Sequence, residues 1–322
     1  MNILQTALVF PGQGSQYVGM GQSLADAHEE AAYVFEVANF AGEGITELAF
    51  RGPEEELNLT VNSQPAILAT SIAYLSAIRH SSALPKPAFF AGHSMGQYSA
   101  MVAAGVISLE TGLRLVRERG RQMQASAADG AMAAVIGLPD ERVAELEATG
   151  RSVGVFTIAN RNSPGQIVVS GERAAVEAAA EKAKELGAKR AIVLPVSVAA
   201  HSPLMSRAAD NMREILAGVE FADPVAPLLA NADARPLTTG DECRAELVEH
   251  LTRGVDWIAA VERMSAAGVT SFIEVGPGKV LTGLIKRIAP DAEAFALDDQ
   301  SAPGRLAIPP SLVIEAGTGV PT

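Results

Sequence analysis

Apolar positions along the chain form short continuous runs that alternate with segments of helical spacing. Runs at residues 8–10, 87–91 and 272–275 are typical of buried strands, and each is followed by a glycine-containing loop. Helical segments separate them, including an apolar one that begins near residues 62–65 and continues to residue 75. Strands that alternate with helices favour a parallel sheet covered on both faces. We therefore predict an α/β fold for the larger part of the protein.

One predicted helix carries an isolated basic residue. Ser108 is a favourable N-cap, and the apolar residues after it follow helical spacing. Three arginines share one flank of this helix: Arg114, Arg117 and Arg121. Arg119 lies on the other flank, beside Gly112 and Leu115. A helix arginine is usually solvated, but a lone cation among small and apolar neighbours is less easily explained in that way.

The pattern changes to shorter units between residues 132 and 196. Strands are predicted at 132–137, 153–159, 166–170 and 191–196, with helices at 140–146 and 174–186. This βαββαβ order is that of a ferredoxin-like unit. We predict a small ferredoxin-like domain of residues 131–197, inserted into a large domain of residues 1–130 and 198–300. Proline and glycine content predicts a tail or linker at 301–322.

Composition limits the function classes. The chain has 322 residues and a formal net charge of −12, which disfavours nonspecific binding of nucleic acid. Its apolar runs fall short of the ~18 residues that span a bilayer, so we expect no membrane partner. The amino terminus lacks a basic leader, and the single cysteine, Cys243, excludes an intramolecular disulfide and any cysteine-based metal cluster. We expect a cytoplasmic protein.

A local basic cluster departs from the overall acidity. Lys279, Lys286 and Arg287 lie close together in a predicted helix at 279–288. They are explained either as a solvated helix face or as a docking site for an acidic partner.

The stretch Gly92-His93-Ser94-Met95-Gly96 is the strongest chemical signal. A G-x-S-x-G sequence between a strand and a helix presents the serine on a sharp turn, where its hydroxyl is free to attack a carbonyl. The alternative is a glycine-rich turn that only joins two core elements. Strand and helix flanks favour Ser94 as a nucleophile.

A serine nucleophile needs a base, and the chain has five histidines: His28, His80, His93, His201 and His250. His201 follows a predicted strand at 192–198, where a loop can aim its imidazole at Ser94. His93 adjoins Ser94 on the tight turn and is expected to point away. No carboxylate has an obvious triad spacing, so a backbone carbonyl is expected to orient the base. Oxyanion donors are expected from the backbone N–H of Met95 and the loop at Gln13.

Several separated motifs resemble the malonyl-CoA:acyl carrier protein transacylase family, the acyltransferases of fatty acid and polyketide synthesis. They are FPGQGSQ at 10–16, SQPA at 63–66, GHSMG at 92–96, RG at 119–120, NRNSPGQ at 160–166, HSPLM at 201–205 and EVGPG at 274–278. The resemblance spans roughly residues 5 to 290. It implies an α/β-hydrolase-like large domain in which Ser94 carries the acyl group and His201 is the general base.

The resemblance also implies the remaining roles. Gln13 and Met95 supply the oxyanion hole, and Arg119 pairs with the free carboxylate of a malonyl group. Gln64, Asn162 and His93 contribute to substrate binding. The backbone carbonyl of position 250 orients the base; this position is His250 here, where the family often has glutamine. Met95 after the serine is typical of malonyl-selective members.

The implied reaction is a ping-pong transfer from malonyl-CoA to an acyl carrier protein, with no cofactor and no metal. We expect a monomer with no nucleic-acid partner. One departure lies at residues 253–257, which read RGVDW where stand-alone members often have Asn-Pro-Val before a polar residue and Trp. Two alternatives remain: a hydrolase in which water resolves the acyl-serine, and a catalytically silent docking module for carrier proteins.

Overall fold

Two β-sheets organise the chain in the computed structural model, which describes residues 5–41, 44–81, 84–126, 129–196, 198–298 and 300. The strands in these ranges are β1 (Gln5–Phe10), β2 (Phe89–Gly92), β3 (Gly130–Ile136), β4 (Phe156–Ser163), β5 (Gln166–Glu172), β6 (Arg190–Val193), β7 (Leu228–Leu229), β8 (Pro236–Leu237), β9 (Val255–Asp256), β10 (Val269–Glu274) and β11 (Glu293–Ala296). The predicted tail at 301–322 lies outside the described residues.

Helices flank both sheets. They are α1 (Gln22–Ala27), α2 (Glu29–Ala41), α3 (Ile45–Arg51), α4 (Glu54–Asn58), α5 (Thr60–Ser81), α6 (Gly96–Ala103), α7 (Leu109–Ala125), α8 (Val143–Val153), α9 (Arg173–Glu185), α10 (Ser206–Ala217), α11 (Gly240–Arg253), α12 (Trp257–Ala266) and α13 (Val280–Ile288). Short 3₁₀ turns span Asp140–Arg142 and Pro203–Met205. Within the described ranges, no helix combines the length and the apolar character that a bilayer crossing requires.

The large sheet has the strand order β11-β10-β1-β2-β7-β8, and its neighbours are parallel except for β7 and β8. Alternate residues of β1 enter different cores: Leu8 and Phe10 pack on one face, Ala7 and Val9 on the other. Both faces of the sheet are therefore buried, which is why its strands are continuous apolar runs. The predicted α/β fold with a parallel sheet is confirmed.

The second sheet has the order β6-β3-β5-β4-β9. Its first four strands are antiparallel, in the order expected of a ferredoxin-like unit, and α8 and α9 contribute to its core. The fifth strand, β9, follows α11 in the chain and pairs in parallel with β4, Asn160 opposite Val255. A segment that lies beyond the predicted small domain in the chain therefore extends the second sheet. The domain bounds 1–130, 131–197 and 198–300 stay a prediction.

The predicted strand before His201 is too long. It was expected to reach residue 196 or 198, but β6 ends at Val193, two residues before Pro195. Proline has no N–H to donate to a neighbouring strand, so the ladder stops there. The chain from Leu194 to His201 is instead irregular in its described part. His201 therefore lies on a loop and not directly at a strand end.

Candidate active site

Ser94 lies on the sharp turn between β2 and α6, as the motif predicts. Its φ angle is +53°, a left-handed conformation that few non-glycine residues adopt. The flanking glycines are required by close backbone contacts. A Cβ on Gly92 would lie 2.1 Å from Gln97 N, and one on Gly96 would lie 2.2 Å from Phe10 O. The turn therefore closes only with glycine at both positions.

Two buried amide side chains hold this turn. Gly92 N–H donates to Gln97 Oε1 (3.1 Å), while Ser94 N–H donates to Asn231 Oδ1 (2.8 Å). Asn231 Nδ2 also donates to Gly92 O (3.0 Å), and Gln97 Nε2 donates to Leu229 O (2.9 Å). The turn is thus tied to the end of β7. Sequence reasoning missed Gln97 and Asn231, for which the only signal is a polar residue beside an apolar run.

His201 completes a hydrogen-bonded dyad with Ser94. Its Nε2 lies 2.8 Å from Ser94 Oγ, and its Nδ1 lies 2.5 Å from the carbonyl oxygen of His250. Because a carbonyl only accepts, Nδ1 carries the proton and Nε2 is free to accept the proton of the serine hydroxyl. Burial, and then the positive charge of Arg119, lower the pKa of His201 to about 3. The imidazole is therefore neutral in the unliganded site.

Arg119 lies fully buried beneath Ser94. Nη2 donates to Ser94 Oγ (3.2 Å), and Nη1 donates to Gln64 Oε1 (2.8 Å). Gln64 Nε2 in turn donates to Gln13 Oε1 (3.3 Å). Burial lowers the pKa of Arg119 to about 10, so the guanidinium stays charged at neutral pH. The structure thus places Arg119, the arginine of α7 that is set apart from the other three, beside the Ser94 hydroxyl.

His93 points away from Ser94, toward β4 of the second sheet. Its Nε2 lies 2.9 Å from Asn162 Oδ1, and its ring contacts the edge of Trp257 at a centroid distance of 5.7 Å. Burial lowers the pKa of His93, so the ring is neutral and donates from Nε2 to the amide oxygen. The contact between His93 and Asn162 links the nucleophile turn to the second sheet.

The two expected oxyanion donors occupy loop and helix-end positions. Gln13 follows β1 and lines the cavity in front of Ser94, while its side chain donates to Ser63 Oγ (3.1 Å). Met95 is the N-cap of α6, and its side chain is buried. The N-terminal end of a helix carries N–H groups without partners inside the helix, which suits a developing negative charge.

A cavity of about 450 Å³ opens in front of the dyad. The loop after β1 contributes polar residues to its lining. Apolar residues come from the second sheet, from the segment after β6 and from α13: Met132, Val168, Leu194, Val196, Val280, Leu281 and Leu284. Its size and lining suit an extended, partly apolar chain. Among the residues that the structure describes, no group of three or more possible metal ligands is found.

The structure therefore brings together the residues that the sequence analysis selected. Ser94, His201, Arg119, Gln64 and Gln13 form one connected set, with His93 and Asn162 beside it and the His250 carbonyl behind His201. His80 is not part of this set: it lies on α5, where its Nδ1 is 3.1 Å from Glu30 Oε1. A nucleophile, a base and a buried cation within reach of one oxygen atom are equipped for acyl transfer involving a negatively charged acyl group.

Comparisons with known proteins agree with this chemistry. A family model described as "Acyl transferase domain" matches residues 7–297. The malonyl CoA-acyl carrier protein transacylase of Escherichia coli K12 is 45% identical over 301 residues, which cover 92% of this chain and 97% of that protein. The protein of the same name from Bacillus subtilis is 42% identical over 297 residues, with coverages of 91% and 93%.

Solved structures are similar over the same range. An acyl carrier protein S-malonyltransferase from Vibrio cholerae has a TM-score of 0.88 at 44% identity and covers 92% of this chain and 98% of its own. A malonyl-transacylase in complex with its type II polyketide synthase acyl-carrier protein has a TM-score of 0.88 at 41% identity, with coverages of 92% and 97%.

Proposed function

Because the chain belongs to the family of malonyl CoA-acyl carrier protein transacylases, we propose that it moves a malonyl group from malonyl-CoA to the phosphopantetheine thiol of an acyl carrier protein. The observation that carries the proposal is the buried guanidinium of Arg119, 3.2 Å from the Ser94 hydroxyl and on the same oxygen as His201. A simple esterase has no use for a buried cation at this place.

In the first half-reaction Ser94 Oγ attacks the thioester carbonyl of malonyl-CoA. Its proton passes to His201 Nε2, and the imidazolium is stabilised by the His250 carbonyl on Nδ1. The bond between the carbonyl carbon and sulfur then breaks, and His201 returns the proton to the leaving CoA thiolate. The product is a malonyl ester of Ser94 and free CoA.

Arg119 is proposed to bind the free carboxylate of the malonyl group. A planar guanidinium donates two charge-assisted hydrogen bonds to a carboxylate, and a lysine cannot reproduce that geometry. Gln64 supports this role because it accepts from Nη1 and fixes the plane of the guanidinium. Acyl groups that lack the carboxylate leave the charge uncompensated, so malonyl is favoured over acetyl.

The developing oxyanion is proposed to accept from the backbone N–H groups of Met95 and Gln13. The Ser94 N–H is not available for this purpose, since it already donates to Asn231. Asn162 and His93 are proposed to contact the substrate from the side of the second sheet, where Asn162 lines the cavity.

In the second half-reaction the phosphopantetheine thiol of a carrier protein enters the site that CoA has left. His201 takes the thiol proton, the thiolate attacks the malonyl ester, and Ser94 Oγ leaves with that proton. The basic cluster of Lys279, Lys286 and Arg287 is exposed on and beside α13. Leu284 of the same helix lines the cavity. We propose that an acidic carrier protein docks there.

The serine and histidine supply the nucleophile and the base themselves, so the proposed reaction requires no cofactor. We propose the cytoplasm as its location, since the buried free thiol of Cys243 suits a reducing compartment. The hydrolase alternative uses the same acyl-serine but is not favoured by the family assignment.

The test is the intact mass of the protein after brief exposure to malonyl-CoA or acetyl-CoA. Wild type should gain a malonyl group that disappears when a phosphopantetheinylated carrier protein is added. Ser94→Ala should gain none. Arg119→Ala should acylate with malonyl about 10²-fold more slowly, since two charge-assisted hydrogen bonds are lost.

Arg121→Ala is the matched control, because this arginine lies on the exposed flank of the same helix. It should behave as wild type. An adduct that water alone removes at the same rate would identify a hydrolase, and adducts on Ser94→Ala would contradict the proposed nucleophile.

A further inference from the structure

Asn231 is held at all of its polar groups, in the loop between β7 and β8. Its side chain accepts from Ser94 N–H and donates to Gly92 O. Its backbone N–H donates to Glu246 Oε1 (2.7 Å), and its backbone carbonyl accepts from Asp256 N–H (2.7 Å). The side chain is 4% exposed. Because every polar group of Asn231 is hydrogen-bonded, its side chain has one orientation. The position of the Asn231 backbone therefore determines the position of the nucleophile turn.

The nucleophile needs such an external support because its backbone is strained. Ser94 has a φ of +53°, which costs on the order of 1 kcal/mol for a residue with a Cβ. A hydrogen bond at Ser94 N–H together with one at Gly92 O holds the turn from both ends. Strained residues persist only where their surroundings determine them. Loss of Asn231 removes both of these bonds and leaves Gln97 as the one amide side chain described above that still contacts the turn.

Glu246 supports Asn231 from helix α11. Its side chain is fully buried, and Oε1 accepts the Asn231 N–H. Oε2 has no hydrogen-bond partner within the described part of the chain, and the nearest cation is Arg235, with Nη2 4.0 Å away. Burial raises the pKa of Glu246 to about 8, so the carboxyl is mostly neutral at pH 7. The contact that reaches Asn231 is the acceptor oxygen Oε1.

One helix therefore positions both reacting groups. Glu246 lies one turn before His250 on α11, and His250 supplies the carbonyl that accepts from His201 Nδ1. Ser94 is connected to α11 through Asn231 and Glu246, while His201 is connected to it directly. The 2.8 Å separation of Ser94 Oγ and His201 Nε2 is thus set by two short routes from the same element.

We propose that Asn231 and Glu246 are positioning residues that hold the backbone of the nucleophile against the helix that holds the base. The inference rests on the proposed function of Ser94. A misplacement of about 1 Å costs roughly 10²-fold in rate, so their contribution should appear in the chemical step.

The experiment is the rate of Ser94 malonylation as a function of malonyl-CoA concentration, followed by intact mass in rapid quench. Asn231→Ala should lower the maximal rate by about 10- to 100-fold, with little change in the concentration at half-maximal rate. Arg119 and the cavity that bind malonyl-CoA are untouched by this change. Val261→Ala, a truncation of a fully buried side chain on α12 that makes none of the hydrogen bonds of the nucleophile turn, is the control for a general loss of stability.

A purely structural role predicts a different result. Asn231→Ala would then lose rate only in proportion to its unfolded fraction, as Val261→Ala does, and its folded molecules would acylate within about threefold of wild type. Either that outcome or a rise in half-saturation at constant maximal rate overturns the inference. A wild-type protein that forms no adduct overturns the proposed function as well, so the two failures are distinguishable.

A second pair of variants decides the matter if Asn231→Ala does not fold. Glu246→Gln keeps an oxygen acceptor for the Asn231 N–H, whereas Glu246→Met keeps the length of the side chain and removes the acceptor. The maximal malonylation rate of the glutamine variant should exceed that of the methionine variant at least fivefold. Equal rates in the two variants overturn the inference.

Discussion

Arg119 and His201 approach the same oxygen atom of Ser94, and the charge of the arginine lowers the proton affinity of the histidine. Burial is the larger cause of the lowered His201 pKa, and the positive charge of Arg119 is the next. In the proposed complex, the malonyl carboxylate on Arg119 compensates that charge. The substrate proposed for this site thus increases the basicity of the histidine that activates its attacker, which acetyl groups cannot do.

Removal of the charge should be visible in a pH profile. In Arg119→Gln the pKa of His201 should rise from about 3 toward, but not to, its ordinary 6.5, because burial remains. Only the neutral imidazole activates Ser94. The rate of Ser94 labelling by an uncharged fluorophosphonate should therefore stay constant to lower pH in wild type than in the variant. Overlapping profiles, or a variant profile shifted to lower pH, would contradict this coupling.

The sequence identifies individual site residues where a short motif is typical of one kind of chemistry. Ser94 is identified by its glycine frame, and His201 by its loop and by elimination among five histidines. Asn231, Gln97 and Glu246 had no such signal. Their partners come from distant parts of the chain, and nothing in their sequence spacing indicates the contact. The catalytic and binding roles themselves stay predictions until the variants are measured.

Helix α7 delivers Arg119 to the site because it packs very closely on the start of α5. Gly120, the next residue, faces Val61 and Thr60: a Cβ there would lie 2.9 Å from Val61 Cα and 3.0 Å from Thr60 O. Both of these atoms are backbone and do not yield as a flexible side chain does. The glycine therefore sets the distance between the helix that carries Arg119 and the helix that carries Gln64.

Gly120→Ala should push the two helices apart. We expect a loss of unfolding free energy of about 1–3 kcal/mol and a lower ratio of malonyl to acetyl acylation, since the contact between Arg119 and Gln64 is displaced. Gly283→Ala in α13 is the matched control, because nothing lies within 4 Å of its Cβ position. It should gain about 0.5–1 kcal/mol from helix propensity. Urea unfolding measures the unfolding free energy of both variants, and intact mass measures their ratio of malonyl to acetyl acylation. Equal changes in the two variants would refute the packing argument.

Element prediction succeeded for long periodic segments and failed where tertiary contacts decide. The strands and helices of the ferredoxin-like unit follow from their periodicity, with shifted ends. The strand before His201 was predicted too long because its apolar residues, such as Leu194 and Val196, line the cavity instead of a sheet. β9 has two residues, too few for any periodic pattern, and exists only because β4 lies beside it.

Across the whole molecule, two kinds of buried titratable groups act on stability in opposite directions. Burial lowers the pKa values of His93, His201 and His250. Burial raises the pKa of Glu246 to about 8 and that of Glu274 to about 7. The histidines are neutral in the folded protein and bind protons below about pH 6.5 when unfolded. The carboxyls keep their protons in the folded protein and lose them near pH 4.5 when unfolded.

The signs follow from which state binds more protons. Below about pH 6.5 the unfolded chain gains protons on these histidines, so the unfolding free energy falls as the pH falls. Between about pH 4.5 and 8 the folded protein holds protons on Glu246 and Glu274 that the unfolded chain has released, so the unfolding free energy falls as the pH rises. Each proton contributes a slope of about 1.4 kcal/mol per pH unit. The two effects together place maximal stability near about pH 6.

Two substitutions by glutamine separate these effects in denaturant unfolding at pH values from 5 to 8.5. Glu246→Gln removes one raised carboxyl, so the decline of the unfolding free energy between pH 6 and 8.5 should become shallower. His250→Gln removes one buried imidazole, so the decline from pH 6 to 5 should become shallower while the alkaline side is unchanged. If stability instead rises steadily to pH 8.5, or if Glu246→Gln leaves the alkaline slope as it is, Glu246 is ionised in the folded protein.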